Sequence, residues 1–257
     1  MIDLSIKGVE YKDIELLIFD KDGTLFQLYP YCSKMVFQRT NAILKVMEND
    51  DQELKDWLIK TMGVNLEEKI IYPNGPIGVY SKYYAQNMLY EKMNEYGYLI
   101  NREMLKEAFN EADDNINEIV YLKKALIPVE GMVEFINKVK GRSKCAIYSN
   151  DMTQRLKDTI DIFGIGDCFD YILGGDLIDK HKPDPMGIIK IMDELKVKPE
   201  NTAFFGDSSL DIEAGQRAKC KYVFGVLSDI SNLKYLKSNS NVIISDFTQI
   251  TVSKDNK

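Results

Sequence analysis

Leu16-Leu17-Ile18-Phe19-Asp20-Lys21-Asp22-Gly23-Thr24-Leu25 is the stretch on which the reading of this chain turns. Its first four residues form a short, wholly apolar run, the pattern of a strand buried on both faces. The next residues are a polar turn carrying two acids spaced two apart. In an extended chain, residues two apart point to the same side, so the spacing predicts that Asp20 and Asp22 face one site while Lys21 points away. Two carboxylates that close repel unless a cation or a proton intervenes. Such a pair suits nucleophile-plus-acid chemistry, with one aspartate held ionised and the other raised in pKa to carry a proton. Gly23 and Thr24 add a turn with backbone amides and a hydroxyl, which are natural donors to phosphate.

Working outward, apolar runs rich in β-branched residues recur at 15–19, 144–148, 202–205, 222–226 and 241–244. In the second half they alternate with helical patterns. These are Val133, Ile136 and Val139, then Leu156, Ile160 and Phe163, then Ile188, Ile191, Met192 and Leu195. That alternation predicts a parallel sheet covered by helices. Asp184 before Pro185 reads as a helix start, because the acid can cap free amides and proline costs nothing at the first helical position.

Between the first run and the second lies a long stretch with helical periodicity and no convincing strand. Leu54, Trp57, Leu58 and Met62 share one helix face that Asp50 or Asp51 can cap. Leu105, Ala108, Phe109, Ala112, Ile116 and Ile119 mark a longer helix after Asn101, and 80–96 a third. Asn74, Gly75, Pro76 and Gly78 make a loop among them. The expected architecture is therefore α/β: a Rossmann-like parallel sheet core flanked by helices (1–26 and 127–257), with an inserted all-helical cap domain over 27–126.

Composition narrows the function from another side. Apolar residues make up 45% and charged residues 28% of 257, an ordinary globular balance. A net charge of −7 argues against a surface built for nucleic acid or anionic lipid, so phosphate would have to be met by local donors. Four cysteines stand singly, with no CxxC pair, and fit a reducing, cytoplasmic setting. No run of eighteen apolar residues suggests a membrane span. The single histidine, His181, has no cysteine at ligand spacing and reads as a loop residue, so any metal must be held by oxygen.

Three further segments follow in order: Ser149-Asn150 at the end of one strand, Lys182-Pro183-Asp184-Pro185 before a helix, and Gly206-Asp207-Ser208-Ser209-Leu210-Asp211 at the end of another strand. Together with Asp20-x-Asp22-Gly23-Thr24 they resemble the four motifs of the haloacid-dehalogenase superfamily. Pro128-Val129-Glu130-Gly131 is similar to the segment by which that family re-enters its core, and Ala214 and Gly215 match the helix after the last motif. The position and helical character of the insertion resemble the C1 cap subclass, which includes phosphoglycolate phosphatases and β-phosphoglucomutases. The cap itself carries little of the resemblance.

The resemblance implies a Mg²⁺-dependent phosphatase. Asp20 would be the nucleophile, Asp22 the general acid and base, and Lys182 the neutralising cation. Gly23, Thr24, Ser149, Asn150 and Lys182 would bind the phosphoryl group. Mg²⁺ would be held by Asp20, the carbonyl of Asp22 and Asp207, with Asp211 behind them orienting water or Lys182. An acid at position 22 argues against carbon–halogen or carbon–phosphorus cleavage, since family members doing that chemistry lack it. A phosphomutase of the β-phosphoglucomutase type uses the same residues and stays open, as does a non-catalytic phospho-ligand-binding regulator. The expected partner is a small phosphorylated metabolite, with the chain a monomer or homodimer. Tyr29, Pro30 and Tyr31 either face the leaving group or pack, and the tyrosines and methionines of 80–96 read as helix contacts.

Overall fold

The computed structural model describes residues 1–72, 75–77, 80, 82–117 and 119–253. The chain divides into two compact units, Met1–Gln27 with Pro128–Lys257, and Leu28–Ile127. The first unit opens with strands β1 (Ile2–Ile6), β2 (Val9–Ile14) and β3 (Leu16–Phe19). The second holds α1 (Leu28–Val46), α2 (Gln52–Thr61), β4 (Val64–Asn65), β5 (Ile70–Ile71), α3 (Lys82–Glu95), α4 (Arg102–Asn117) and α5 (Ile119–Ala125). The chain then returns to the first unit through α6 (Met132–Val139), β6 (Lys144–Tyr148), α7 (Thr153–Ile162), β7 (Tyr171–Leu173), α8 (Met186–Leu195), β8 (Thr202–Gly206), α9 (Ser209–Arg217), β9 (Tyr222–Val226), α10 (Leu233–Asn239), β10 (Val242–Ile244) and β11 (Ile250–Val252).

Among the described residues six strands form one parallel sheet in the order β10-β9-β8-β3-β6-β7. Strand β3 lies inside it, with Phe19 opposite Ile147 of β6 on one side and Phe205 of β8 on the other. The four residues of β3 are all buried because the sheet is covered on both faces. Leu16 and Ile18 point into a cluster with Tyr148, Ile188, Phe204 and Ile212, which α8 and α9 help to close. Phe19 points the other way, stacked on Phe205 at 5.0 Å and near Phe135 and Phe247. Each such ring buried contributes about 1.5–3 kcal/mol. Strand order reverses between β3 and β8, because β6 and β7 extend one way and β8, β9 and β10 the other. Ligands of open α/β sheets bind beyond the strand ends at such a point.

The expected α/β core is present, with the five predicted strands at nearly their predicted bounds. Asp184 does cap: its Oδ1 takes the N–H of Met186 at 3.0 Å, and Pro185 stands one residue before the helix. A second sheet, β11-β1-β2, antiparallel throughout, was not anticipated, nor was the three-residue β7. Ile2, Leu4 and Ile6 are its buried row.

In the helical unit, Asp51 caps α2 by accepting from the N–H of Glu53 at 2.8 Å. Leu105, Ala108, Phe109, Ala112 and Ile116 line the buried face of α4, while Ile119 begins α5 instead of extending α4. The helix over 80–96 runs from Lys82 to Glu95. Of the expected loop, Gly75 and Pro76 are described and Asn74 and Gly78 lie outside the described residues. The nineteen-residue α1 is an addition, as is the small β4-β5 pair. Tyr29, Pro30 and Tyr31 occupy the first turn of α1, and Tyr31 is buried. No helix among the described residues is long and apolar enough to cross a membrane.

Candidate active site

Three strand ends of the first unit carry the acids and the hydroxyl singled out in the sequence. Asp20 follows β3 and continues its ladder, donating its N–H to the Phe205 carbonyl at 2.9 Å. Ser149 follows β6 and Asp207 follows β8. Lys182 reaches the same place from the loop before α8, with its Nζ 2.6 Å from Asp20 Oδ1 and 2.7 Å from Asp211 Oδ1. That ammonium also lies 4.8 Å from the ring centroid of Tyr148, a face that electrostatics favours for a cation. Gly187 is required beneath it, since a Cβ there would collide with the Tyr148 ring.

Burial governs the charges. It raises the Asp20 carboxyl to about 7 against the pull of Lys182, with Asp211 and Asp22 adding to the rise. Asp207 is pushed well above the ordinary carboxylate range, first by burial and then by the charges of Asp211 and Asp20. For Lys182, burial works toward a lower value, yet the charges of Asp20 and Asp211 outweigh it and hold the ammonium above its usual range.

Carboxylate oxygens of Asp20, Asp207 and Asp211 lie within 4.8 Å of one another. Three buried acids face one lysine, an imbalance that a divalent cation would relieve, and the donors are the hard oxygens that such a cation prefers. Asp211 is the most committed of the three. One oxygen meets Lys182, while the other takes the N–H and hydroxyl of Ser208 in the capping box that starts α9. Asp207 accepts from the Ser228 hydroxyl, and its carbonyl accepts from Ser231 Oγ at 2.8 Å. Gly23, at φ +85°, lies so close to Asp207 that a Cβ would strike its carboxylate.

Lys21 departs from expectation. Its ammonium does not leave the site but sits 2.9 Å from Asp22 Oδ1 and 2.9 Å from Asp151 Oδ2, with only 1% of the side chain exposed. A four-carbon stem lets the charged head come to rest where strand alternation alone would not place it. Burial raises the Asp22 carboxyl despite Lys21, with the charge of Asp151 assisting. Asp151, buried as well, is nonetheless lowered to about 2, because Lys21 and Arg155 overcome the burial.

The residues expected to bind phosphate divide. Ser149 is buried beside this group, and its Oγ accepts from the Asp151 N–H at 3.2 Å. Thr24 Oγ1 and Asn150 Oδ1 are buried with no hydrogen-bond partner among the described residues. The N–H of Gly23 is already given to the Phe26 carbonyl at 2.7 Å, so its expected part as a phosphate donor does not hold here. The turn closes on itself, and what glycine provides is room for Asp207.

A family model described as a haloacid dehalogenase-like hydrolase matches residues 14–219. The chain belongs to that family. This haloacid dehalogenase-like hydrolase is 31% identical over 150 residues to a phosphoglycolate phosphatase of Aquifex aeolicus, covering 57% of this chain and 67% of that one. It is 26% identical over 211 residues to a phosphoglycolate phosphatase of Psychrobacter arcticus, covering 80% of each. The crystal structure of a predicted phosphoglycolate phosphatase from Haemophilus somnus shares the fold, with a TM-score of 0.70 at 19% identity over 92% of this chain and 96% of that one. The chain is accordingly an enzyme of the phosphohydrolase kind.

Residues that the sequence left unmarked adjoin the candidate site. Ser228 and Ser231 hold Asp207 from the loop after β9, and no spacing within a motif announces them. Asp151 adjoins Asn150 and Arg155 follows four residues later on α7, an i, i+4 pair at 2.7 Å that the charge pattern does contain. His181 stays in the loop, its carbonyl accepting from the Asp184 N–H.

Proposed function

We propose that the protein is a Mg²⁺-dependent phosphatase that hydrolyses a small phosphomonoester through an aspartyl-phosphate on Asp20. The helical unit would serve as the cap that selects the leaving group, and the enzyme would work in the cytoplasm. The observation that carries this reading is the buried cluster in which Lys182 bridges Asp20 and Asp211 while Asp207 lies within 4.8 Å of both acids.

Asp20 and Asp207, with the carbonyl of Asp22, would hold the metal, which when bound supplies positive charge against the phosphoryl oxygens and keeps the acids ionised. Asp20 attacks phosphorus in line, and the bond from phosphorus to the ester oxygen breaks. Asp22 gives its proton to the departing alkoxide. Water then attacks the same phosphorus as Asp22 takes its proton, and the acyl-phosphate bond breaks to return Asp20 as a carboxylate. Lys182 and Ser149 offset charge on the phosphoryl oxygens, with Thr24 and Asn150 as further donors, which is most of what phosphoryl transfer asks of a protein. Gly23 keeps the turn close to Asp207.

The names of the relatives make 2-phosphoglycolate the first substrate to try. Phosphate release should be followed with p-nitrophenyl phosphate and a panel of small phosphomonoesters, with Mg²⁺ and with EDTA, against Asp20→Asn. Mg²⁺-dependent release lost in the folded variant is the expected result. Equal release by Asp20→Asn would refute the assignment.

A further inference from the structure

We infer that Asp151 and Lys21 form a positioning pair that fixes the carboxyl of Asp22 and the hydroxyl of Ser149 in one register. The inference rests on the phosphatase reading above and names two residues that none of the four motifs assigns.

Asp151 touches both halves of the proposed machinery. Through its side chain it meets the Lys21 ammonium at 2.9 Å, and that ammonium in turn meets Asp22 at 2.9 Å. Through its backbone N–H it donates to Ser149 Oγ at 3.2 Å. Its other oxygen is held by Arg155 at 2.7 Å and by the Met152 N–H at 2.8 Å. Asp151 therefore cannot turn without disturbing several bonds, and the acid and the phosphate-binding hydroxyl are tied to one rigid point.

A packing explanation is weaker. Burying an ammonium costs more than filling the same space with an apolar side chain, unless its partners compensate closely. Here two cations and two anions compensate one another, and the geometry that results is aimed at Asp22. General-acid catalysis depends on such aim, because the proton must be delivered within hydrogen-bond reach of the leaving oxygen. Neither Lys21 nor Asp151 transfers a proton in this scheme.

Leaving groups separate positioning from packing. An alkoxide must be protonated as it departs, whereas nitrophenolate leaves without help. Steady-state kinetics with Mg²⁺ on 2-phosphoglycolate, or on the alkyl phosphate cleaved best, would be compared with the pre-steady-state release of nitrophenolate from p-nitrophenyl phosphate. The variants are Lys21→Met, Lys21→Arg, and the charge-balanced Lys21→Met/Asp151→Asn.

Lys21→Met and the double variant should lose about 10²-fold in kcat on the alkyl phosphate with little change in KM. Both should still release a rapid stoichiometric burst of nitrophenolate, after which slow dephosphorylation limits turnover. The double variant should melt near the wild-type temperature without recovering activity, and Lys21→Arg should recover part of it. Equal losses on both esters that track the melting temperature would overturn the inference, and so would undiminished turnover by folded variants. If the wild-type protein cleaved neither ester, the phosphatase reading itself would fall, and the positioning role with it.

Discussion

Lys182 Nζ stands 2.6 Å from Asp20 Oδ1, although 162 residues of sequence separate them. The contact joins the loop before α8 to the end of β3, and it places one cation against the acid proposed as nucleophile. Asp211 receives the same ammonium at 2.7 Å, so one side chain compensates two of the three acids in the cluster. The remaining excess of negative charge is what makes the site fit a divalent cation.

Removing that compensation should be costly twice over. Lys182→Met is expected to lower kcat by about 10²–10³-fold, as for other lost charge-stabilising donors. Because buried Asp20 and Asp211 lose their shared partner, unfolding should become easier by about 3–5 kcal/mol. Chemical denaturation and steady-state kinetics on the same preparation check both. Unchanged stability would mean that the acids are already protonated in the folded protein.

The raised acids predict how metal binding depends on pH. Burial first, and neighbouring acids second, lift Asp20 from 3.8 to about 7 and Asp207 in the same direction. An acid bound more tightly to its proton when folded favours folding where it is protonated. That contribution is complete below about pH 4 and is lost as pH rises through about 7. EDTA-treated protein should therefore melt progressively lower from about pH 5 to pH 8. Added Mg²⁺ should raise the melting temperature more at pH 8 than at pH 5, since protons and metal compete for the same oxygens. A Mg²⁺ shift of equal size at both ends would contradict the cluster as the binding site.

Gly23→Ala tests the close approach beneath Asp207. The residue has φ +85°, and the added methyl would meet the Asp207 carboxylate. Strain of about 1–3 kcal/mol is expected from the backbone alone. Displacement of Asp207 should also weaken Mg²⁺ binding, measured by titration calorimetry. Metal affinity at the wild-type level would show that the carboxylate can move aside freely.

A prediction for the helical unit is independent of catalysis. Asp113 lies between Arg39 at 2.9 Å and Lys82 at 2.8 Å, with Arg39 also over the face of Phe109. Asp113→Ala leaves those buried or half-buried cations without this acid and should destabilise the unit by about 3–5 kcal/mol. Hydrogen exchange should report the loss across α1 and α4 before the parallel sheet is affected. Uniform loss over the whole chain would instead mean that the two units unfold together.

Much of this was legible in the sequence because one rule sufficed at a time. Apolar runs such as 16–19 and 202–205 name strands buried on both faces, and the polar residues immediately after them name the candidate site. The parts that escaped needed two rules at once. In α1 the buried face includes Arg39 and Thr40, so its apolar stripe is broken, and the buried arginine is compensated by Asp113 and the Phe109 ring on α4. The row Ile2, Leu4 and Ile6 does alternate with polar residues, a readable strand signal, but its partner β11 lies at the other end of the chain. Strand β7 has three residues with one β-branched among them, whereas the equally short β10 is wholly β-branched.

Lys21 illustrates a different limit. Alternation along a strand fixes where a Cβ points, and it is the reason Asp20 and Asp22 are read as a pair. It says nothing about where the end of a long flexible side chain comes to rest, and that end is the part held between Asp22 and Asp151.

Trapping the acyl phosphate tests the central claim most directly. The protein would be mixed with Mg²⁺ and p-nitrophenyl phosphate, quenched during turnover with borohydride, digested, and mapped by mass spectrometry. Borohydride reduces an aspartyl-phosphate to homoserine, so the account predicts homoserine at position 20, dependent on substrate and absent without it. Turnover with no modification at Asp20, or with homoserine at another acid, would contradict it.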